Sequence, residues 1–180
     1  LYDSEYVFKK LNEVSPSFCL AKWYNVSIHI PTGKTHSCYH PHAHHIPLEE
    51  VAIDVSALHN TKYKKEQRKL MLSGKRPAEC EFCWQIEDSG NHLSDRAYRS
   101  KDVFNEELLA EAQLVENPNP RYVEVNFNQA CNFVVTARHT CQLLGGKTLK
   151  RTARMYLLTR CITTYSGCNN QTIVQITLTC

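Results

Sequence analysis

The residues of this 180-residue chain best suited to chemistry are its nine cysteines. Four in the first half fall into two pairs, Cys19 with Cys38 and Cys80 with Cys83. The Cys80-x2-Cys83 spacing lets two thiolates face one metal from a single turn. Four thiolates brought together hold either a zinc ion or an iron–sulfur cluster, and ligand type alone does not choose between them. Without a metal the same residues would be buried thiols acting as small apolar side chains. The aromatic pair Phe82 and Trp84 around Cys83 favours ligation. Five histidines, His36, His40, His42, His44 and His45, follow one another closely. Alternate residues of extended chain point opposite ways, so they cannot all converge on one ion. A polar loop near Cys38 that supplies hydrogen bonds around its thiol is the expected role.

The elements that must position the cysteines follow from local patterns. Residues 4–14 read as a helix with Ser4 as N-cap and Val7, Leu11 and Val14 on one face. Trp23 to Ile30 alternates as a strand does, and Pro31-Thr-Gly-Lys34 is a turn, which makes a hairpin with Cys19 and Cys38 at its two ends. Lys62 to Ser73 holds strong helix formers, and Gly74 ends it. Pro77 to Trp84 reads as a tight knuckle, Lys101 to Val115 as a helix capped by Ser100, and 117–120 as a linker. Residues 121–128 form the clearest strand, with Tyr122, Glu124 and Asn126 on one face and Val123, Val125 and Phe127 on the other.

Composition divides the chain at Phe133. Residues 1–133 carry 15 Lys and Arg against 18 Asp and Glu, a net charge of −3, whereas 134–180 carry six cations and no acid. The six cations are scattered among ten threonines and apolar residues, unlike the clustered Lys and Arg of nucleic-acid-binding tails. No apolar run reaches the roughly 18 residues of a membrane span. The opening Leu1-Tyr-Asp-Ser-Glu-Tyr has no apolar core of a secretory leader, so thiols in a reducing, cytoplasmic setting are expected rather than a disulfide framework.

Cys19-x13-Gly33-x4-Cys38, followed by Cys80-x2-Cys83, resembles the SPASM and twitch segments that hold auxiliary clusters in radical S-adenosylmethionine enzymes. The passage Lys75-Arg-Pro-Ala-Glu-Cys-Glu-Phe-Cys-Trp-Gln-Ile-Glu-Asp88 is similar to twitch-domain radical SAM proteins of phage and environmental origin, in which this segment precedes the barrel. Tyr122-Val-Glu-Val-Asn-Phe-Asn-Gln-Ala-Cys131-Asn-Phe133 resembles the barrel's first strand running into a C-x3-C-x2-C motif. The resemblance implies an α/β fold: an auxiliary module over about 1–116, then the first barrel strand and first cluster cysteine over 117–133. It implies a cluster, of the 4Fe-4S type, on Cys19, Cys38, Cys80 and Cys83, with zinc as the alternative. It also implies S-adenosylmethionine as the cofactor of intact relatives, a peptide or small-molecule substrate, and a bacterial host cytoplasm.

The chain departs from that pattern after Cys131. The next two cysteines should stand at 135 and 138, where Val135 and Arg138 are found. Phe-Val-Val-Thr-Ala can be encoded TTT GTA GTT ACT GCT, and the frame starting on the last T of the Phe codon reads Cys-Ser-Tyr-Cys. That is the missing half of the motif at its expected point. Residues 134–180 are therefore expected to be an out-of-frame tail, irregular in structure, although Thr172 to Thr179 is β-prone. No catalytic residue is assigned. Cys131 alone cannot hold a SAM-cleaving cluster, so the chain as written is expected to be inactive, or else to act as a zinc-stabilised interaction module.

Overall fold

The computed structural model describes residues 3–126 and the strand at 173–176. In chain order the elements are α1 (Ser4–Val14), α2 (Leu20–Tyr24), β1 (Asn25–His29), β2 (Lys34–His36), β3 (His44–His45), α3 (Leu48–Ile53), α4 (Lys62–Leu72), α5 (Glu81–Asp88), α6 (Asp95–Arg99), α7 (Glu106–Leu114), β4 (Tyr122–Asn126) and β5 (Ile173–Ile176). Short 3-10 turns cover Val55–Leu58, Ala78–Cys80 and Lys101–Phe104. The class is α/β: helices beside one mixed sheet of order β3-β2-β1-β4-β5. β1 runs antiparallel to β2 and parallel to β4. The expected boundary at 116–117 thus falls between α7 and β4, and β4 joins the hairpin's own sheet. No helix among the described residues is long and apolar enough to cross a membrane.

Two cores result. Val26 and Ile28 of β1 and Val123 and Val125 of β4 point to one face of the sheet, where Ile46, Val51 and Leu58 cover them. The second core lies among the helices and joins Val7, Leu11, Phe18, Trp23, Met71, Trp84 and Leu108. Cys80 and Cys83 belong to it. Each large apolar side chain buried there contributes about 1.5–3 kcal/mol over leaving it exposed.

Several boundaries differ from expectation. Asp3, not Ser4, caps α1: its carboxylate accepts from the N–H groups of Glu5 and Tyr6 at 3.0 and 3.2 Å. The strand begins at Asn25 because Leu20–Tyr24 winds into a helix whose five residues are all buried, leaving no alternating pattern to sustain a strand. The last helix starts at Glu106, since the Asn105 side chain accepts from the Glu107 and Leu108 N–H groups and Ser100 makes no such bond. The 62–73 helix ends as expected, with Gly74 at φ 76° and Lys75 N–H donating to the Leu70 carbonyl at 3.0 Å. The knuckle around Cys80 continues directly into α5.

The tail expected to be irregular contains β5, paired parallel with β4 in the register Tyr122–Ile173 to Val125–Ile176. Its Ile-Val-Gln-Ile composition suits a strand, and β4 offers an unfilled backbone edge on the side away from β1. Cys131, Phe127 and the rest of 127–172 lie outside the described residues.

Candidate metal centre

Cys19 is the N-cap residue of α2, and Cys38 stands two residues after the end of β2. The hairpin between them turns at Gly33, whose φ of 62° lies where L side chains are disfavoured, and whose N–H donates to the His29 carbonyl at 2.8 Å. α2 is fixed from below by two buried cations of α4. Arg68 Nε donates to the Lys22 carbonyl at 3.0 Å, and Lys64 Nζ donates to the Asn25 carbonyl at 2.9 Å. These two buried side chains satisfy carbonyls at the C-terminal end of α2. Cys80 closes a 3-10 turn and begins α5, and Cys83 sits one turn further on.

The four cysteines from these two segments line one cavity of about 20 Å³, together with Lys22, Met71, Trp84 and Arg96. That volume holds a single water-sized group. The four thiols lie close enough to interact: charge on Cys19 raises the pKa of Cys38, and charge on Cys19 and Cys38 raises those of Cys80 and Cys83. Burial is the largest cause and pushes Cys38 to about 11 and Cys80 and Cys83 each to about 12. Without a metal these three groups are therefore neutral thiols at pH 7, and all four cysteines are free of disulfides.

Donors converge on the sulfurs. Backbone groups of His40 and Arg96 hydrogen-bond Cys38 and Cys83 and hold their pKa values down against burial. The Ser100 hydroxyl lies 4.0 Å from Cys19 Sγ. Lys22 is buried, yet its pKa is raised: burial alone would lower it, and the charges of Cys80, Glu79 and Cys38 more than offset that. Arg96 lies against the cavity with its guanidinium clamped by both Glu87 oxygens at 2.8 Å and by the Phe18 carbonyl at 3.0 Å. Trp84 closes one wall, its Nε1 donating to the Pro77 carbonyl at 3.0 Å.

The fit to a metal group can be tested on the donors themselves. A tetrahedral zinc site with Zn–S bonds of about 2.3 Å needs its sulfurs roughly 3.8 Å apart. Among the described residues no group of three or more His, Cys, Asp or Glu side chains is arranged to hold a metal ion. An iron–sulfur cluster places each thiolate on a different iron and so spreads them more widely. Cys19 and Cys38 are the two partly exposed thiols of the four.

The histidines divide as the alternation argument requires. The backbone of His40, rather than its imidazole, reaches Cys38; its ring stacks on Phe82 at a centroid distance of 3.7 Å and its Nε2 lies 3.1 Å from Asp95 Oδ2. His44 Nε2 contacts Thr61 Oγ1 at 3.0 Å, and burial lowers its pKa to about 4. His36 points to the polar face of the sheet, with Nε2 at 2.7 Å from His29 Nε2. On that face the buried Glu124 carboxylate accepts from Ser27 Oγ at 2.9 Å and Tyr39 OH at 2.8 Å. Lys22, Glu79, Arg96 and Ser100 carry no motif that sequence reasoning could isolate. The sole hint was spacing: Lys22 lies three residues after Cys19 and Glu79 one before Cys80. In comparisons with protein-family models, curated proteins and solved structures, nothing matches this chain.

Proposed function

We propose that residues 1–116 form an iron–sulfur module in which Cys19, Cys38, Cys80 and Cys83 ligate one cluster. The observation that carries this reading is the meeting of two cysteine pairs, far apart in sequence, around one cavity. Backbone donors to two sulfurs and the buried cation Lys22 supply the hydrogen bonds and positive charge that a multiply anionic thiolate site requires. When bound, such a cluster supplies one-electron transfer. The protein's part is to displace water with Trp84 and Met71 and to fix the sulfurs on two rigid segments. By its resemblance to auxiliary segments of radical SAM enzymes, the module relays electrons to, or binds, the substrate of a barrel whose first strand is β4. The chain as written carries Cys131 without partners at 135 and 138, so it performs no SAM cleavage.

A second reading is a structural zinc site, favoured by the small volume of the cavity. Purification without oxygen separates the two. Broad visible absorption with iron and acid-labile sulfide in near-equal amounts supports the cluster. A colourless protein with one zinc per chain supports the alternative, and a chain that retains neither metal, before or after reconstitution, overturns both.

A further inference from the structure

We propose a binding site for a small, multiply charged anion in the open cleft formed by Tyr24, Tyr98, Arg99, Lys101, Arg121 and Tyr122. The cleft has a volume of about 660 Å³, within the range of about 300–1,000 Å³ typical of small-molecule sites. Leu20 and Leu108 form its apolar floor, and Asn25 and Asn105 add neutral polar groups. Three cations and a single carboxylate, Asp102, line it, which leaves two positive charges in excess.

Each cation is seated on a tyrosine. The Arg99 guanidinium lies 4.9 Å from the Tyr39 ring centre, Lys101 Nζ lies 5.6 Å from that of Tyr98, and the Arg121 guanidinium lies 5.8 Å from that of Tyr24. A ring quadrupole orients a cation without cancelling its charge. Arg99 also bonds Asp95 at 3.2 Å. Among the described residues neither Lys101 nor Arg121 has an ion-pair partner, so both keep their donors for a ligand. Arg121 is anchored further by its backbone N–H, which donates to the Tyr24 carbonyl at 2.8 Å. A guanidinium held this way offers parallel N–H groups that match a phosphate or a carboxylate.

The site's place gives it a use. Leu20 and Arg99 line the cleft; the chain neighbour of Leu20, Cys19, lines the thiol cavity, and the hydroxyl of Ser100, next to Arg99, lies 4.0 Å from Cys19 Sγ. The Ser100 hydroxyl accepts from Leu20 N–H at 3.0 Å and reaches toward Cys19 Sγ, so one hydroxyl joins both walls. An anion bound here lies beside the thiol centre. The inference does not depend on which metal the thiols hold.

Titration calorimetry of the full chain at low salt, with inorganic pyrophosphate and separately with tricarballylate, tests it. Saturable binding that weakens as salt rises is expected. Lys101→Gln and Arg121→Gln should each lower affinity by about tenfold, as loss of one charge-assisted contact does, while Lys69→Gln, outside the cleft, should leave it unchanged. Lys101 is exposed, so its variant keeps the test valid if Arg121→Gln disturbs folding. Tighter binding of pyrophosphate identifies a phosphorylated ligand, and tighter binding of tricarballylate a polycarboxylate. Absence of binding to both, equal binding by Lys101→Gln, or binding only of an oligonucleotide overturns the proposal.

Discussion

Lys22 and Glu79 form an ion pair whose side chains are 5% and 9% exposed, and this pair stitches the segment after Cys19 to the segment before Cys80. The hairpin and the α5 segment lie far apart in sequence, and each brings two thiols to the centre. The ion pair sits at their junction, with Lys22 also within reach of the Cys80 and Cys38 charges. Removing one partner leaves an uncompensated buried charge. Lys22→Met or Glu79→Leu should therefore destabilise the fold by about 3–5 kcal/mol in denaturant unfolding. The Lys22→Met/Glu79→Leu double variant should recover most of that loss. A double variant that costs the sum of the two single variants would show that the pair does not join the segments.

Ligand loss should be felt as lost folding energy. Cys80→Ser and Cys38→Ser should each reduce bound metal well below the wild-type ratio and lower the melting temperature of the reconstituted protein, because metal binding stabilises the folded state. Without metal the two variants should differ little from wild type. A Cys80→Ser protein that keeps its full metal content and melting temperature would falsify the four-thiol assignment.

The raised thiols give the metal-free protein a limit on the alkaline side. Free cysteine in an unfolded chain ionises near 8.5, whereas folded Cys38 ionises at about 11 and Cys80 and Cys83 at about 12. Between these values the folded state binds more protons than the unfolded one, so stability falls as pH rises, by up to about 1.4 kcal/mol per pH unit for each thiol. On the acid side the sign reverses. His44 is lowered to about 4, and burial with the neighbouring Lys64 and Arg68 charges holds His59 well below 6.5. The unfolded chain takes up protons first, and stability falls as pH drops below about 6.5. Urea unfolding of the metal-free protein should thus be most difficult between about pH 6.5 and 8.5, and loading the metal should remove the alkaline decline. A stability that keeps rising above pH 9 would contradict the burial of the thiols.

Trp84 carries both packing and a hydrogen bond at the cavity wall. Trp84→Ala should cost about 3–5 kcal/mol, and Trp84→Phe, which keeps a packed ring but loses the bond to Pro77, less, with the difference reporting the packing. Phe82, exposed and stacked on His40, should tolerate Ala with a much smaller loss. Comparable losses at the two positions would assign Phe82 a packing role that its exposure does not suggest.

Catalysis should return only with the missing thiolates. A gene restored so that Cys-Ser-Tyr-Cys follows Phe133 after one intervening residue completes C-x3-C-x2-C with Cys131. After reconstitution with iron and sulfide and reduction, that protein should cleave S-adenosylmethionine, and the chain as written should not. Cleavage by the unaltered chain would overturn the reading of its tail.

The spacing of Cys19, Gly33, Cys38, Cys80 and Cys83, the turn at Gly33, the helix end at Gly74 and the faces of β4 were all legible in the sequence. Each depends on local constraints: backbone conformation at glycine, the reach of a thiol across one turn, and the two-residue period of a strand. Tertiary structure decided the rest. That α2 is a helix rather than the start of β1 depends on Arg68 and Lys64, some forty residues away, which satisfy its carbonyls. The partnership of Lys22 with Glu79, of Arg96 with Glu87 and of His29 with His36 likewise arises only when separate segments meet. A lysine, an arginine or a histidine is ordinarily a surface residue, and its type says nothing of burial. Only the packing that removes water from around these groups makes their pairing obligatory, because a buried charge or donor without a partner costs more than the fold can spare.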